Sequence, residues 1–144
     1  MNLTRLVYYS QRNPSRDVDV TALVDACERS NEMHNLTGLL HTHDGVYVQV
    51  IEGGRVEVSE LYARIARDPR HDRLILLSFG DAYERMFPDS AMALHQGMDE
   101  ESRKVFLRYF ATTDINPETV NVTTLLDALQ DLPLEQPTKL TISI

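Results

Sequence analysis

A chain of 144 residues, 42% hydrophobic and 25% charged, carries enough apolar material for one domain with a sizeable core. Its formal net charge of −8, without any lysine or arginine cluster, argues against general nucleic-acid binding but leaves room for a few placed arginines that grip a phosphorylated small molecule. No apolar run approaches the roughly 20 residues of a membrane span, there is no signal-peptide layout, and one cysteine excludes an intramolecular disulfide framework. A reducing, cytoplasmic home is therefore expected.

The chain opens with "LTRLVYYS", which alternates as a strand: Leu6, Tyr8 and Ser10 on one face, Arg5, Val7 and Tyr9 on the other. A polar loop, "QRNPSRD", leads to a helix over residues 18–31, capped by Asp17 or Asp19, with Val20, Val24 and Cys27 on one stripe and Leu23 beside it. "NLTGLLHTH" and "VYVQVIE" then form a hairpin about the turn pair Asp44-Gly45. Residues 55–68 give a second helix with Val58, Leu61 and Ile65 on its buried stripe, "DRLILLSFG" an apolar strand, and "SAMALH" a short fifth strand. Strand, helix, strand, strand, helix, strand, plus one added strand, specifies an α/β ferredoxin-like sandwich: a mixed five-stranded sheet with two helices on one face.

Past residue 97 the composition changes. "DEESRKVFLRYFA" is an amphipathic helix, acidic first and basic later as the helix dipole favours; Asn116-Pro117-Glu118 reads as the start of another, leading into "LLDALQDL". "KLTISI" reads as an edge strand. Residues 98–144 are too short for a second domain and are expected to cover the free sheet face or make subunit contacts.

Three polar residues interrupt this apolar pattern. Val46, Val48 and Val50 point one way and Tyr47, Gln49 and Ile51 the other, so Gln49 is an amide where an apolar side chain would be the default. The stripe through 20, 24 and 27 continues to Asn31, and that through Leu61 and Ile65 to Asp68, with His71 just beyond. An unpaired buried amide costs about 1–3 kcal/mol. Two readings stand side by side: the amides bond to neighbouring backbone, or two helices and a strand converge on a flat, mostly apolar ligand with a few polar edges. His41 and His43, alternating about Thr42 without a third ligand at metal-site spacing, read as surface residues, Cys27 as a small core filler, and Tyr9 and Tyr47 as packing. No metal is expected.

"LVYYSQR", "ERSNEMHNLTGLLHTHDGVYVQVIEGG" and "RIARDPRHDRLILLSFGDAYERMFPDSAM" together resemble the BLUF family of blue-light sensors that hold FAD non-covalently. The resemblance covers roughly residues 1–95, so residues 1–97 are expected to be the flavin-binding photosensory domain and 98–144 a C-terminal helical extension and tail. It places Tyr8, Asn31 and Gln49 at the family's invariant positions. It implies a flavin ring between the two helices, Leu23 and Ile65 against its sides, Asn31 on the pyrimidine edge, and Gln49 joining the flavin to Tyr8. Arg64, Asp68 and His71 would lie near the ring edge and the phosphate tail; Arg29, Arg67 and Arg70 are weaker phosphate candidates. It further implies that light drives an electron and then a proton from Tyr8 by way of Gln49 to the flavin. Gln49 is left rotated or tautomerised, giving a reversible red shift without turnover.

One departure stands out. Many members carry Trp-Ser-Met or Trp-Ala-Met on the fifth strand; here it is "SAM", with Ser90 in the tryptophan position and Met92 retained, in a chain without tryptophan. Ser90 and Met92 are the expected signal-output positions. The chain is expected to be a short, stand-alone member acting on a downstream protein partner and as a homo-oligomer, with neither nucleic acid nor membrane involved. Two other readings stand beside it. A phosphatase on the same scaffold would need backbone amides around an anion, and "SQRNPSRD", despite Arg12 and Arg16, has no glycine for that. A light-independent flavin or small-ligand regulatory domain would bind its ligand without a photoresponse.

Overall fold

β1 (Leu3–Arg12) runs through the interior of the sheet, and its alternation decides what lies on either side. In the computed structural model, which describes residues 2–134, there follow α1 (Val20–Met33), β2 (Thr37–His43), β3 (Val46–Gly53), α2 (Arg55–Arg67), β4 (His71–Ala82), β5 (Ala93–Gln96), α3 (Glu100–Tyr109) and α4 (Val122–Asp131). The five strands form one sheet in the order β4-β1-β3-β2-β5, antiparallel except for the parallel β2·β5 pair. This is the ferredoxin-like arrangement expected from the sequence, with one strand added beside β2.

Leu6 and Tyr8 pack with Ile51, Val58 and Leu61 beneath α2. Val7 and Tyr9, pointing oppositely, join Leu39, Val48 and Val50 against Phe106, Leu125 and Leu129 of the C-terminal helices. α3 and α4 therefore cover the second sheet face. The β2–β3 turn has Asp44 at φ 50° and Gly45 at φ 76°, the two left-handed residues that a tight hairpin of matching twist requires. Gly38 is needed for a different reason: a Cβ there would lie 1.9 Å from the Val50 carbonyl oxygen across the sheet.

Several boundaries shift. Asp19 rather than Asp17 caps α1, accepting from the Ala22 amide. The fifth strand begins at Ala93, so Ser90 and Met92 precede it. Asn116 starts only an isolated turn, bonding the Glu118, Thr119 and Val120 amides; the helix proper is capped by Asn121. The expected edge strand "KLTISI" lies outside the described residues.

Two buried polar groups organise the framework. The Glu52 carboxylate accepts from Arg5 Nε at 2.8 Å, the Met86 amide at 2.8 Å and the Phe87 amide at 3.0 Å, pinning the β4–β5 connection to β3. Arg85 reinforces this by donating to Thr37 Oγ1 and to the Glu52 and Asn35 carbonyls.

The second is His41, which is buried rather than a surface residue because α3 covers its face of the sheet. Burial foremost, then the neighbouring His95 and His43, hold its pKa down to about 3. The folded state thus keeps His41 neutral, whereas the unfolded chain binds a proton below about pH 6.5, so this stability is present above that pH and lost as pH falls towards 3. Between pH 7 and pH 5 the expected loss is about 2 kcal/mol. In urea melts at the two pH values, His41→Leu should show a loss smaller by about that amount; an equal loss would contradict it.

Candidate functional site

α1 and α2 stand apart over β1 and β3, leaving a cleft of about 450 Å³, inside the roughly 300–1,000 Å³ range of small-molecule sites. Tyr8, Leu23, Asn31, Gln49, Arg64, Ile65, Asp68 and His71 all line it. Tyr8 and Gln49 come from the floor, where they are directly paired across β1 and β3. Leu23 and Asn31 come from α1, Arg64 and Ile65 from α2, Asp68 from the C-cap of α2 and His71 from the start of β4. Arg29 and Arg67 are exposed and do not line the cleft.

The Tyr8 phenol donates to Gln49 Oε1 at 2.5 Å, and Gln49 Nε2 donates to the Met92 sulfur at 3.3 Å. Burial pushes the Tyr8 phenol well above its ordinary pKa, with Cys27 and Asp68 adding to the shift, so it holds its proton as a donor. A thioether is a weak acceptor and takes only one of the two amide hydrogens, so Gln49 keeps donor capacity towards the cleft. Asn31, 1% exposed, donates from Nδ2 to the Ala91 carbonyl at 2.9 Å; its Oδ1 has no partner among the described residues.

Ser90, Ala91 and Met92 are therefore each fastened to a different element. The Ser90 carbonyl accepts from the Gly38 amide of β2 at 3.2 Å, the Ala91 carbonyl from Asn31 of α1, and the Met92 sulfur from Gln49 of β3. Met92 is buried against Val24, Leu40 and Tyr47.

At the mouth, Arg70 holds Asp68 through Nε and Nη2. That pairing drives the Asp68 carboxyl below, and the Arg70 guanidinium above, their ordinary pKa values. Arg64 makes no such pair among the described residues and is exposed. His71 Nε2 lies 2.6 Å from the Ile65 carbonyl, which can only accept; Nε2 therefore donates, and Nδ1 receives the Ser10 hydroxyl at 2.7 Å in the neutral ring. Both nitrogens are committed to protein partners, so His71 meets the cleft through its ring.

Sequence reasoning left some lining residues out. Tyr47, read as packing, also faces the cleft, as its position on the Gln49 side of β3 already signalled. Arg70 joins the lining because Asp68 holds it there. Cys27 lines the cleft too, and burial raises its thiol pKa, favouring the inert, protonated form.

A family profile described as "BLUF: Sensors of blue-light using FAD" matches residues 3–93. Photoactivated adenylate cyclase subunit beta of Euglena gracilis is 36% identical over 87 residues, 60% of this chain and 10% of that protein; the chain thus spans about a tenth of that relative's length. Among solved structures, the BlsA photo-activated state aligns with a TM-score of 0.82 at 25% identity, over 94% of this chain and 99% of that one. The dark-state structure of BlrB, a BLUF protein, aligns with a TM-score of 0.68 at 27% identity, over 90% and 96% respectively.

Proposed function

The chain belongs to the BLUF family, sensors of blue light using FAD, and from that membership we propose that the cleft between α1 and α2 holds the flavin and that the Tyr8–Gln49–Met92 chain reports its excitation. The observation that carries this reading is the bond order at Gln49, where a phenol donates to one end of the amide and a thioether accepts from the other. The hydrogen-bonding capacity that the site keeps towards the cleft fits the group. Asn31 Oδ1 and the remaining Gln49 amide hydrogen offer one acceptor and one donor to a ring edge of alternating carbonyls and N–H. Leu23 and Ile65 offer apolar sides, and Arg64 offers charge for a phosphate tail.

Bound flavin supplies the absorption of blue light and a strong one-electron, one-proton demand in its excited state. Tyr8 is the residue placed to meet that demand, with its proton already directed at Gln49 Oε1. When the amide turns over, Nε2 faces the Tyr8 oxygen and Oε1 faces Met92. The sulfur then loses its donor and meets an acceptor, so Met92 and the segment fastened beside it shift. With Ser90 in place of an indole, Met92 is the side chain of this segment that reads the amide directly.

Residues 1–97 act as the photosensory unit and 98–144 as the extension that carries output, without enzymatic turnover, to a protein partner in the cytoplasm or to a second copy of the chain. Supporting self-association, β4 lies at the sheet edge with Leu76 48% and Phe79 45% exposed. Among the described residues, no helix is long and apolar enough to cross a membrane.

FAD titrated into the full chain should bind reversibly, and Asn31→Ala should weaken it about tenfold, equivalent to about 1.4 kcal/mol. Unchanged affinity by fluorescence quenching would remove Asn31 from the site. A light-independent flavin domain would bind equally but keep its spectrum under blue illumination.

A further inference from the structure

β5 is a wall with two sides. Leu94 continues the Met92 side towards the cleft, whereas Ala93 and His95 face the C-terminal helices. His95 lies directly across from His41 on the parallel strand β2. Their Nδ1 atoms are 2.8 Å apart and their rings stack at 5.0 Å, with His41 also against Phe106 of α3. On its other side, His95 Nε2 lies 2.7 Å from Ser102 Oγ in the first turn of α3. All three side chains are buried. Ser102 is tied in turn to Asp99, the cap of α3, which accepts from its amide at 2.8 Å, and the Ser102 amide first and its hydroxyl second hold the Asp99 carboxyl below its ordinary pKa. A continuous chain, buried from His41 through His95 to Ser102, thus runs from β2 through β5 to the exposed cap of α3, on the face opposite the cleft.

Proton counting gives this chain two self-consistent states. A contact between two imidazole nitrogens needs one donor and one acceptor, and a hydroxyl has one hydrogen to give. In one state Ser102 donates to His95 Nε2, and His95 Nδ1–H donates to His41. In the other, His41 Nδ1–H donates to His95, His95 Nε2–H donates to Ser102, and the hydroxyl hydrogen is released to the Asp99 carboxylate. In passing from the first state to the second, Ser102 gives its proton to His95 Nε2, His95 gives its Nδ1 proton to His41 Nδ1, and the Nε2 proton that His41 sheds returns through water to the Ser102 oxygen, so each imidazole exchanges one tautomer for the other and the total is unchanged. The states differ at the helix cap, where the second adds a side-chain bond to the Asp99 carboxylate.

We propose that His41, His95 and Ser102 form a reversible hydrogen-bond latch through which a displacement of β5 reaches α3 and the C-terminal helices. It rests on the reading above that Met92, three residues before His95, moves when the Gln49 amide turns. These are positioning residues, outside the cleft, and they act on output rather than on photochemistry. No apolar pair at 41 and 95 would offer two alternative states; it would only pack.

The test uses the full chain loaded with FAD, compared dark and under blue light by hydrogen exchange at residues 99–110, with the absorption spectrum recorded on the same samples. The wild type should show the red shift and a light-dependent change in exchange at α3. Ser102→Ala, which removes one oxygen, and His41→Leu should keep the red shift and lose the change at α3. His41→Asn, which returns a polar atom near the Nδ1 position, should restore it. A change of wild-type size in Ser102→Ala and His41→Leu, with the red shift intact, would overturn the latch, as would a red-shifting wild type without any change at α3. Absence of the red shift in the wild type would instead overturn the light-sensing reading beneath it, and the latch with it.

Discussion

Tyr8→Phe should abolish the light-induced red shift while leaving FAD bound. The ring stays, and with it the packing against Tyr62 at 6.0 Å and His71 at 6.1 Å that shapes the cleft floor. What goes is the O–H that donates to Gln49 Oε1, and with it the positioned source of an electron and a proton. With no tryptophan in the chain, no indole can substitute as donor. Leaving Oε1 without its donor should also cost about 1–3 kcal/mol of stability. Difference spectra under blue light, on samples whose flavin content is checked after gel filtration, decide the matter. A normal shift in Tyr8→Phe would remove Tyr8 from the mechanism.

Glu52→Ala should destabilise the fold by about 3–5 kcal/mol, the usual cost of breaking a buried charge arrangement from one side. The carboxylate is fully buried, and its loss strands the Met86 and Phe87 amides and Arg5 Nε together. For a domain of this size the melting temperature should drop by roughly 10–20 °C. Urea unfolding of the FAD-free protein is the measurement, since bound ligand would mask part of the loss by mass action. A loss below about 1 kcal/mol would show that the β4–β5 connection is held by other means. The same variant loosens the segment that ends in Met92, so its light response should be altered even where FAD is retained.

The sequence carried the sheet faces clearly because period 2 is unambiguous in β1 and β3, where Tyr8 and Gln49 fall on the same side as Leu6 and Ile51. It also showed that Asn31 and Gln49 sit where apolar residues were due. Their partners were not legible: the Ala91 carbonyl and the Met92 sulfur come from a segment 60 and 43 positions away, brought in by tertiary contacts that no local pattern encodes. Glu52 could be noticed only as part of "EGG", because a buried carboxylate satisfied by two backbone amides leaves no signature in the residues supplying them. The burial of His41 is hidden from the sequence for a related reason. A polar residue on a strand looks exposed until the helix that covers it, here α3, is placed on that face. Asn116-Pro117 mimics a helix start, yet Asn121 takes the cap, accepting the Thr124 amide at 3.0 Å.

The central claim is that light rewires a hydrogen-bonded chain running from Tyr8 through Gln49 to Met92, and the absorption spectrum of the FAD-loaded full chain tests it most directly. Recorded before, during and after blue illumination, it should shift to the red and return in darkness, with the bound flavin oxidised throughout recovery. A flavin spectrum that stays fixed under illumination, or bleaches without returning, would contradict the account.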